Sequence, residues 1–203
     1  MSALLLAVSL LLPARAGAAD LEVVEGPSLV LKLRYATKDN FLDQDVYSAA
    51  GIDRCWARPE LAAALRKAQK DLDAAGVKLI LWDCWRPLSV QRKMWELVPD
   101  ENYVANPKKG SHHNRGAAVD VTLGTFDGRP IPMPSEFDEF GASSSPDYQC
   151  TPSERDKCRH REALRTIMTN AGLVGLKTEW WHFELPDAQR LPIVAAAPAS
   201  SKK

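Results

Sequence analysis

Apolar and polar positions alternate along residues 29–35, where Leu29, Leu31, Leu33 and Tyr35 share one face and predict a strand. Pro59–Ala75 carries Leu61, Leu65, Ala68, Leu72 and Ala75 on one helical face, with Pro59 in the first turn and Gly76 as the stop, and predicts a helix. Residues 77–83 form a continuous apolar run ending in Asp83, the pattern of a buried strand. Arg86-Pro87 ends it, and Leu88–Leu97 reads as a second helix. Residues 117–123 predict another strand. The 124–147 stretch is rich in Pro, Gly and Ser and reads as a long surface loop. Thr151-Pro152-Ser153-Glu154 matches a capping box ahead of a third helix, whose apolar face is Leu164, Ile167, Met168 and Ala171 and whose stop is Gly172. Residues 179–185 predict a last strand, and the Ala/Pro/Ser-rich tail from about residue 187 is expected to fray. Neither repeats nor an internal boundary interrupt this order. It implies one α+β domain, a mainly antiparallel sheet with packed helices and a functional cleft at the sheet.

The first apolar run changes the picture of where the domain begins. Ala3 to Leu12 has the length of a signal-peptide core and is too short to span a bilayer, and Ala16-Gly17-Ala18 is a small-x-small cleavage site. The expectation is a signal peptide over residues 1–18, a mature domain over 19–203, and export to the periplasm or cell envelope without stable membrane association afterwards. No Lys or Arg precedes the run, which departs from the usual signal pattern. Four cysteines remain, and an even count behind an export signal suggests two disulfides out of three possible pairings. Cys55–Cys84 with Cys150–Cys158 is the favoured set. Eight residues of continuous helix would hold Cys150 and Cys158 roughly 12 Å apart, so that bond requires a partly non-helical segment between them. Charge is balanced, 26 basic against 26 acidic side chains, which argues against nucleic acid or an anionic membrane as partner and is silent about small substrates.

Candidate chemistry concentrates in two short stretches, Ser111 to Asp120 and Glu179 to His182, which hold three of the 4 histidines. A catalytic zinc site takes three ligands from His and Asp or Glu and leaves a fourth position open, and it needs a separate carboxylate to move a proton. His113, Asp120 and His182 supply such a ligand set and Glu179 the base. Gly116 lets the chain bend so that a loop ligand and a strand ligand converge. Glu179 and His182 are three apart and would face opposite ways on a regular strand, so Glu179 is expected just outside the strand or at a bulge. His112 is an alternative ligand on composition, but adjacent residues point apart. Arg86 before a proline reads by itself as a turn arginine paired with Asp83, and one of Trp180 and Trp181 as core.

The motif S-x-H-x-x-G-x-A-x-D from Ser111 to Asp120, followed by E-W-W-H from Glu179, resembles the zinc D,D-peptidases. Within them the chain is similar to the VanX-type D-alanyl-D-alanine dipeptidases. Tyr35-Ala36-Thr37-Lys38-Asp39-Asn40-Phe41 looks like their Y-A-T-x-D-N-F segment, and Trp82-Asp83-Cys84-Trp85-Arg86-Pro87 like their W-D-x-x-R-P turn. The likeness runs from about residue 33 to 185. It implies one Zn2+ per chain on His113, Asp120 and His182, Glu179 as general base, and Arg86 as the cation that stabilises the oxyanion. Tyr35, Ser111 and Asp138 fall where the resemblance places substrate-contacting groups.

The implied activity is zinc-dependent hydrolysis of the small dipeptide D-Ala-D-Ala to two D-alanines by metal-activated water, in cell-wall peptide turnover. A D,D-carboxypeptidase trimming terminal D-Ala from stem peptides would keep the same centre in a more open groove. A non-catalytic wall-binding module would have no need of Glu179 beside a full ligand set. The loop between Arg86 and His113 is short compared with some relatives, which could open the site.

Overall fold

The computed structural model describes residues 21–196; the expected signal peptide lies outside the described residues. The short strands β1 (Glu22–Val23) and β3 (Trp56–Ala57) pair antiparallel at one side. The main sheet has five strands: β2 (Leu29–Leu31), β4 (Lys78–Asp83), β5 (Ala118–Gly124), β7 (His182–Glu184) and β6 (Val174–Gly175), adjacent in that order. The fold is α+β as expected, but the sheet is mixed. β2 runs parallel to β4, whereas β4–β5, β5–β7 and β7–β6 are antiparallel. The parallel pairing follows from the crossover between β2 and β4, which carries α1 (Pro59–Ala75) and is long enough to return the chain to the same end.

Helix α1 stops at Gly76, whose φ of 66° places it in the left-handed region. It presents Leu61, Leu65, Ala68 and Leu72 to the core, contacting β4, while α3 (Arg155–Asn170) contacts both α1 and β5. β4 and β5 are buried along nearly their whole length, so their apolar runs are covered on both faces. The helix α2 (Leu88–Leu97) buries Val90, Gln91 and Met94. Among the described residues no helix is long and apolar enough to cross a membrane.

Three further expectations need correction. The strand predicted over 29–35 ends at Leu31, and Arg34–Ala36 is a 3-10 turn. The Tyr35 carbonyl accepts the N–H groups of both Val46 and Tyr47, which draws this segment off the sheet and into the core. The 124–147 stretch is not simply a surface loop: Phe137 is buried against Tyr35, Trp82 and Trp181. The tail expected to fray from residue 187 is docked as far as Val194. Arg58 donates to the Pro192 carbonyl at 2.8 Å, Arg115 to that of Leu191, and the Val194 N–H to the Asn114 carbonyl at 2.9 Å. These charged donors hold a segment whose own composition carries little stickiness.

Both favoured disulfides are formed, Cys55–Cys84 and Cys150–Cys158. The geometric condition on the second is met, because Cys150 precedes a 3-10 turn at Pro152–Glu154 and only Cys158 lies in α3, with Cα atoms 6.1 Å apart.

Candidate metal centre and active site

The sheet register itself assembles the centre. Asp83 at the end of β4 pairs with Asp120 on β5, and Asp120 pairs with His182 at the start of β7. A register shift between Leu81 and Asp83 bends β4 just before its last residue. His113 arrives from a 3-10 turn, His113–Arg115, closed by Gly116 at φ 65°. That left-handed φ favours glycine, and a Cβ there would also lie 2.5 Å from Leu21 Cδ2, so any side chain would be strained and would push Leu21 aside.

Donor atoms of three buried side chains converge. His113 Nε2 lies 3.3 Å from His182 Nδ1, His182 Nδ1 3.0 Å from Asp120 Oδ1, and His113 Nε2 3.4 Å from Asp120 Oδ1. Metal–donor bonds of about 2.0–2.1 Å at tetrahedral angles put donors about 3.3–3.4 Å apart, so this triangle fits one small divalent ion. A second group, His112, His182 and Glu184, also brings donor atoms together. There, however, His112 and Glu184 are only half-buried, and Glu184 Oε2 meets His182 at Nε2, 2.9 Å away, on the opposite side of the ring from the Nδ1 that faces His113 and Asp120. The geometry separates the ion site from its support.

That support fixes both tautomers. His113 Nδ1–H donates to the Cys84 carbonyl at 2.9 Å, freeing Nε2, and His182 Nε2–H donates to Glu184, freeing Nδ1. Burial works against charge on His182, yet its contacts with Asp120 and Glu184 prevail and push its pKa up to about 10 in the metal-free protein. Asp120 resists protonation strongly despite burial because both imidazoles face it.

One cavity of about 260 Å³ is lined by all eight residues singled out in the sequence: Tyr35, Arg86, Ser111, His113, Asp120, Asp138, Glu179 and His182. Glu179 lies outside β7, as its spacing required, and burial raises its carboxyl pKa above the ordinary value. Arg86 is 8% exposed and makes the expected turn pair, donating to Asp83 Oδ2 at 2.5 Å, and also donates to Gln91 Oε1 at 2.9 Å. The pairing does not remove it from the cavity. Burial opposes its charge, but Asp83 outweighs this and keeps the guanidinium firmly cationic. Tyr35 Oη donates to the Asp138 carboxylate at 3.1–3.2 Å, and burial together with the Asp120 charge pushes Asp138 up to about 8. Ser111 Oγ accepts the His113 backbone N–H at 3.2 Å. Trp181 lines the cavity, while Trp180 is core, bonded through its indole N–H to Ser135.

Sequence reasoning passed over Glu184 and Gln91. Glu184 was legible in principle, since residues two apart on a strand share a face and His182-Phe183-Glu184 sets a carboxylate beside the ligand. Gln91 is fully buried and its Nε2 donates to the Ala105 carbonyl at 2.7 Å, tying Arg86 to the cavity wall. Its only signal was a polar residue between Val90 and Met94 on the buried side of α2.

Comparison with known proteins gives the same direction. A family model described as D-Ala-D-Ala dipeptidase, of the M15 peptidases, matches residues 15–198. The chain is 36% identical over 176 residues to the D-alanyl-D-alanine dipeptidase of Escherichia coli K12, covering 87% of this chain and 88% of that one. It is 32% identical over 176 residues to the D-alanyl-D-alanine dipeptidase of Enterococcus faecium (76% and 84% covered), and 31% identical over 179 residues to that of Streptomyces coelicolor (76% and 84%).

Proposed function

The chain belongs to the D-Ala-D-Ala dipeptidase family of M15 metallopeptidases, and we propose that it is a zinc enzyme hydrolysing D-alanyl-D-alanine to two D-alanines in cell-wall peptide turnover. The observation that carries the reading is the one cavity in which a metal-sized donor triangle, the half-buried Glu179 carboxyl and the buried Arg86 meet. At about 260 Å³ it lies below the roughly 300–1,000 Å³ of drug-sized pockets, which suits a dipeptide better than a long stem peptide.

In this proposal His113, Asp120 and His182 hold one Zn2+ per chain. When bound, zinc supplies Lewis acidity and makes water a nucleophile near neutral pH. Glu179 takes the proton from the attacking water and delivers it to the leaving amine, so that the C–N bond breaks as the amine is neutralised. Its raised pKa moves it toward that task. Arg86, fixed by Asp83 and Gln91, faces the oxyanion that develops on the scissile carbonyl, where a preorganised donor contributes about 3–4 kcal/mol. Asp138, with Tyr35 on its carboxylate, receives the substrate ammonium, and Ser111 stands at the carboxylate end.

Export belongs to the same proposal: residues 1–18 are removed and the domain from residue 19 works in the periplasm or envelope. Two formed disulfides support an oxidising compartment. There the enzyme would scavenge or recycle a wall-derived dipeptide. The test is D-alanine release from D-Ala-D-Ala in parallel with a stem pentapeptide ending in the same pair. Cleavage of the dipeptide alone is expected; efficient cleavage of the pentapeptide would make the protein a D,D-carboxypeptidase.

A further inference from the structure

Cys84 is the first residue beyond β4, so its peptide group has left the strand ladder. Its carbonyl nevertheless accepts the His113 Nδ1–H at 2.9 Å, the bond that fixes that ring's tautomer and aims Nε2 at the metal position. A carbonyl with this task needs an anchor that the sheet no longer supplies. Its anchors are the buried Cys55–Cys84 disulfide and the neighbouring bond from the Trp85 N–H to the Trp56 carbonyl at 2.8 Å. Both ends of this clamp lie on the Cys55-Trp56 segment, which is itself held by the Val24 N–H on the Cys55 carbonyl and by the β1–β3 pairing. The same turn carries Asp83, whose Oδ1 accepts the Cys84 N–H at 2.8 Å while Oδ2 holds Arg86.

We propose that the Cys55–Cys84 disulfide positions the metal centre: it holds the carbonyl that orients His113, so the oxidised chain binds zinc more tightly than the reduced one. The inference rests on the zinc reading of His113, Asp120 and His182. Cys55 and Cys84 act through His113 and touch neither metal nor substrate. Losing an outer partner of a metal-bound histidine lowers metal affinity by about 10–100-fold, and this is the loss expected when the cross-link is gone. By linkage, bound zinc protects this disulfide from reduction by the same factor.

The experiment compares zinc dissociation constants, measured by competition with a chromophoric chelator, for three proteins that circular dichroism shows to be folded at the assay temperature. They are the wild type, Cys55→Ser/Cys84→Ser, and Cys150→Ser/Cys158→Ser. The second cross-link closes a loop before α3 and has no bond to a ligand histidine, so it controls for loss of any disulfide. The first variant is expected to weaken by about 10–100-fold with the control within about 3-fold. Equal affinities in the wild type and the first variant would overturn the proposal, as would an equal loss in both variants. A wild type that binds no zinc would instead remove the zinc reading itself.

If the first variant does not fold, the wild type is equilibrated in glutathione buffers at fixed free zinc. Two glutathione thiols there reduce the bond to two cysteine thiols and leave as glutathione disulfide. Alkylation and mass spectrometry then report the reduced fraction of Cys55 and Cys84. Zinc should shift the balance toward the disulfide by about 10–100-fold, and an unchanged ratio contradicts the proposal.

Discussion

Asp120 and His182 face each other as cross-strand partners on β5 and β7, and Asp120 Oδ1 stands 3.0 Å from His182 Nδ1. Two of the three proposed ligands therefore belong to the best-buried part of the sheet, and the third comes in on a glycine-closed turn. Placing ligands on paired strands limits how far either can drift, which is what a metal site of defined geometry requires. His182→Ala should abolish tight zinc binding, checked by elemental analysis after dialysis; a variant that keeps one zinc per chain would show that His182 is misassigned.

Glu184→Gln tests the support rather than the ligand. The amide can accept or donate but loses the charge that faces His182 Nε2, so zinc affinity should fall by about 10–100-fold without being lost. Chelator competition distinguishes this graded loss from that of His182→Ala, and an unchanged affinity would mean that the contact does not tune the ligand.

Glu179→Ala should leave metal content unchanged and lower kcat by about 10²–10⁴-fold, the usual contribution of a positioned base. The paired reading of zinc content and turnover matters, because near wild-type turnover with full metal would take Glu179 out of the mechanism.

Arg86→Lys keeps a positive charge but loses the fork that Asp83 and Gln91 grip. An oxyanion donor acts in the transition state, so kcat should drop by about 10²–10³-fold with KM little changed. Steady-state kinetics on the dipeptide checks it, and a rise in KM alone would make Arg86 a ground-state binding residue.

Asp138 adds a pH dependence of its own beside that of Glu179. Its pKa is pushed up to about 8, first by burial and second by the Asp120 charge. A group raised in this way is neutral below its pKa, and a neutral carboxyl does not pair with an ammonium. Zinc on Asp120 offsets the second contribution, so kcat/KM should rise with pH through a limb lying between the ordinary carboxylate range near 4 and about 8. In Asp138→Asn most of the affinity should be lost and the rise that remains should be the one set by Glu179, the general base; a profile unchanged from wild type would take Asp138 out of the pH dependence.

Much of this was legible in the chain because strong periodicity and chemistry coincide. The α1 face, the apolar β4 run and the placement of Asp120 on β5 all follow local patterns that tertiary structure left intact. The spacing of Glu179 and His182 even placed Glu179 off the strand. What was not legible depends on partners distant in sequence. Tyr35 leaves the strand pattern because Val46 and Tyr47 compete for its carbonyl, and the tail is held by Arg58 and Arg115, whose reach no local pattern encodes. The parallel β2–β4 pairing likewise is a matter of crossover, invisible in either strand's own alternation.

The central claim is that this donor triangle makes the chain a dipeptidase, and titration of metal-stripped protein with zinc tests it most directly. D-alanine release from D-Ala-D-Ala should be absent at the start, rise in proportion to added zinc, and level off at one equivalent per chain. Undiminished hydrolysis by the metal-free protein, or activity that continues to climb well past one equivalent, would contradict the account.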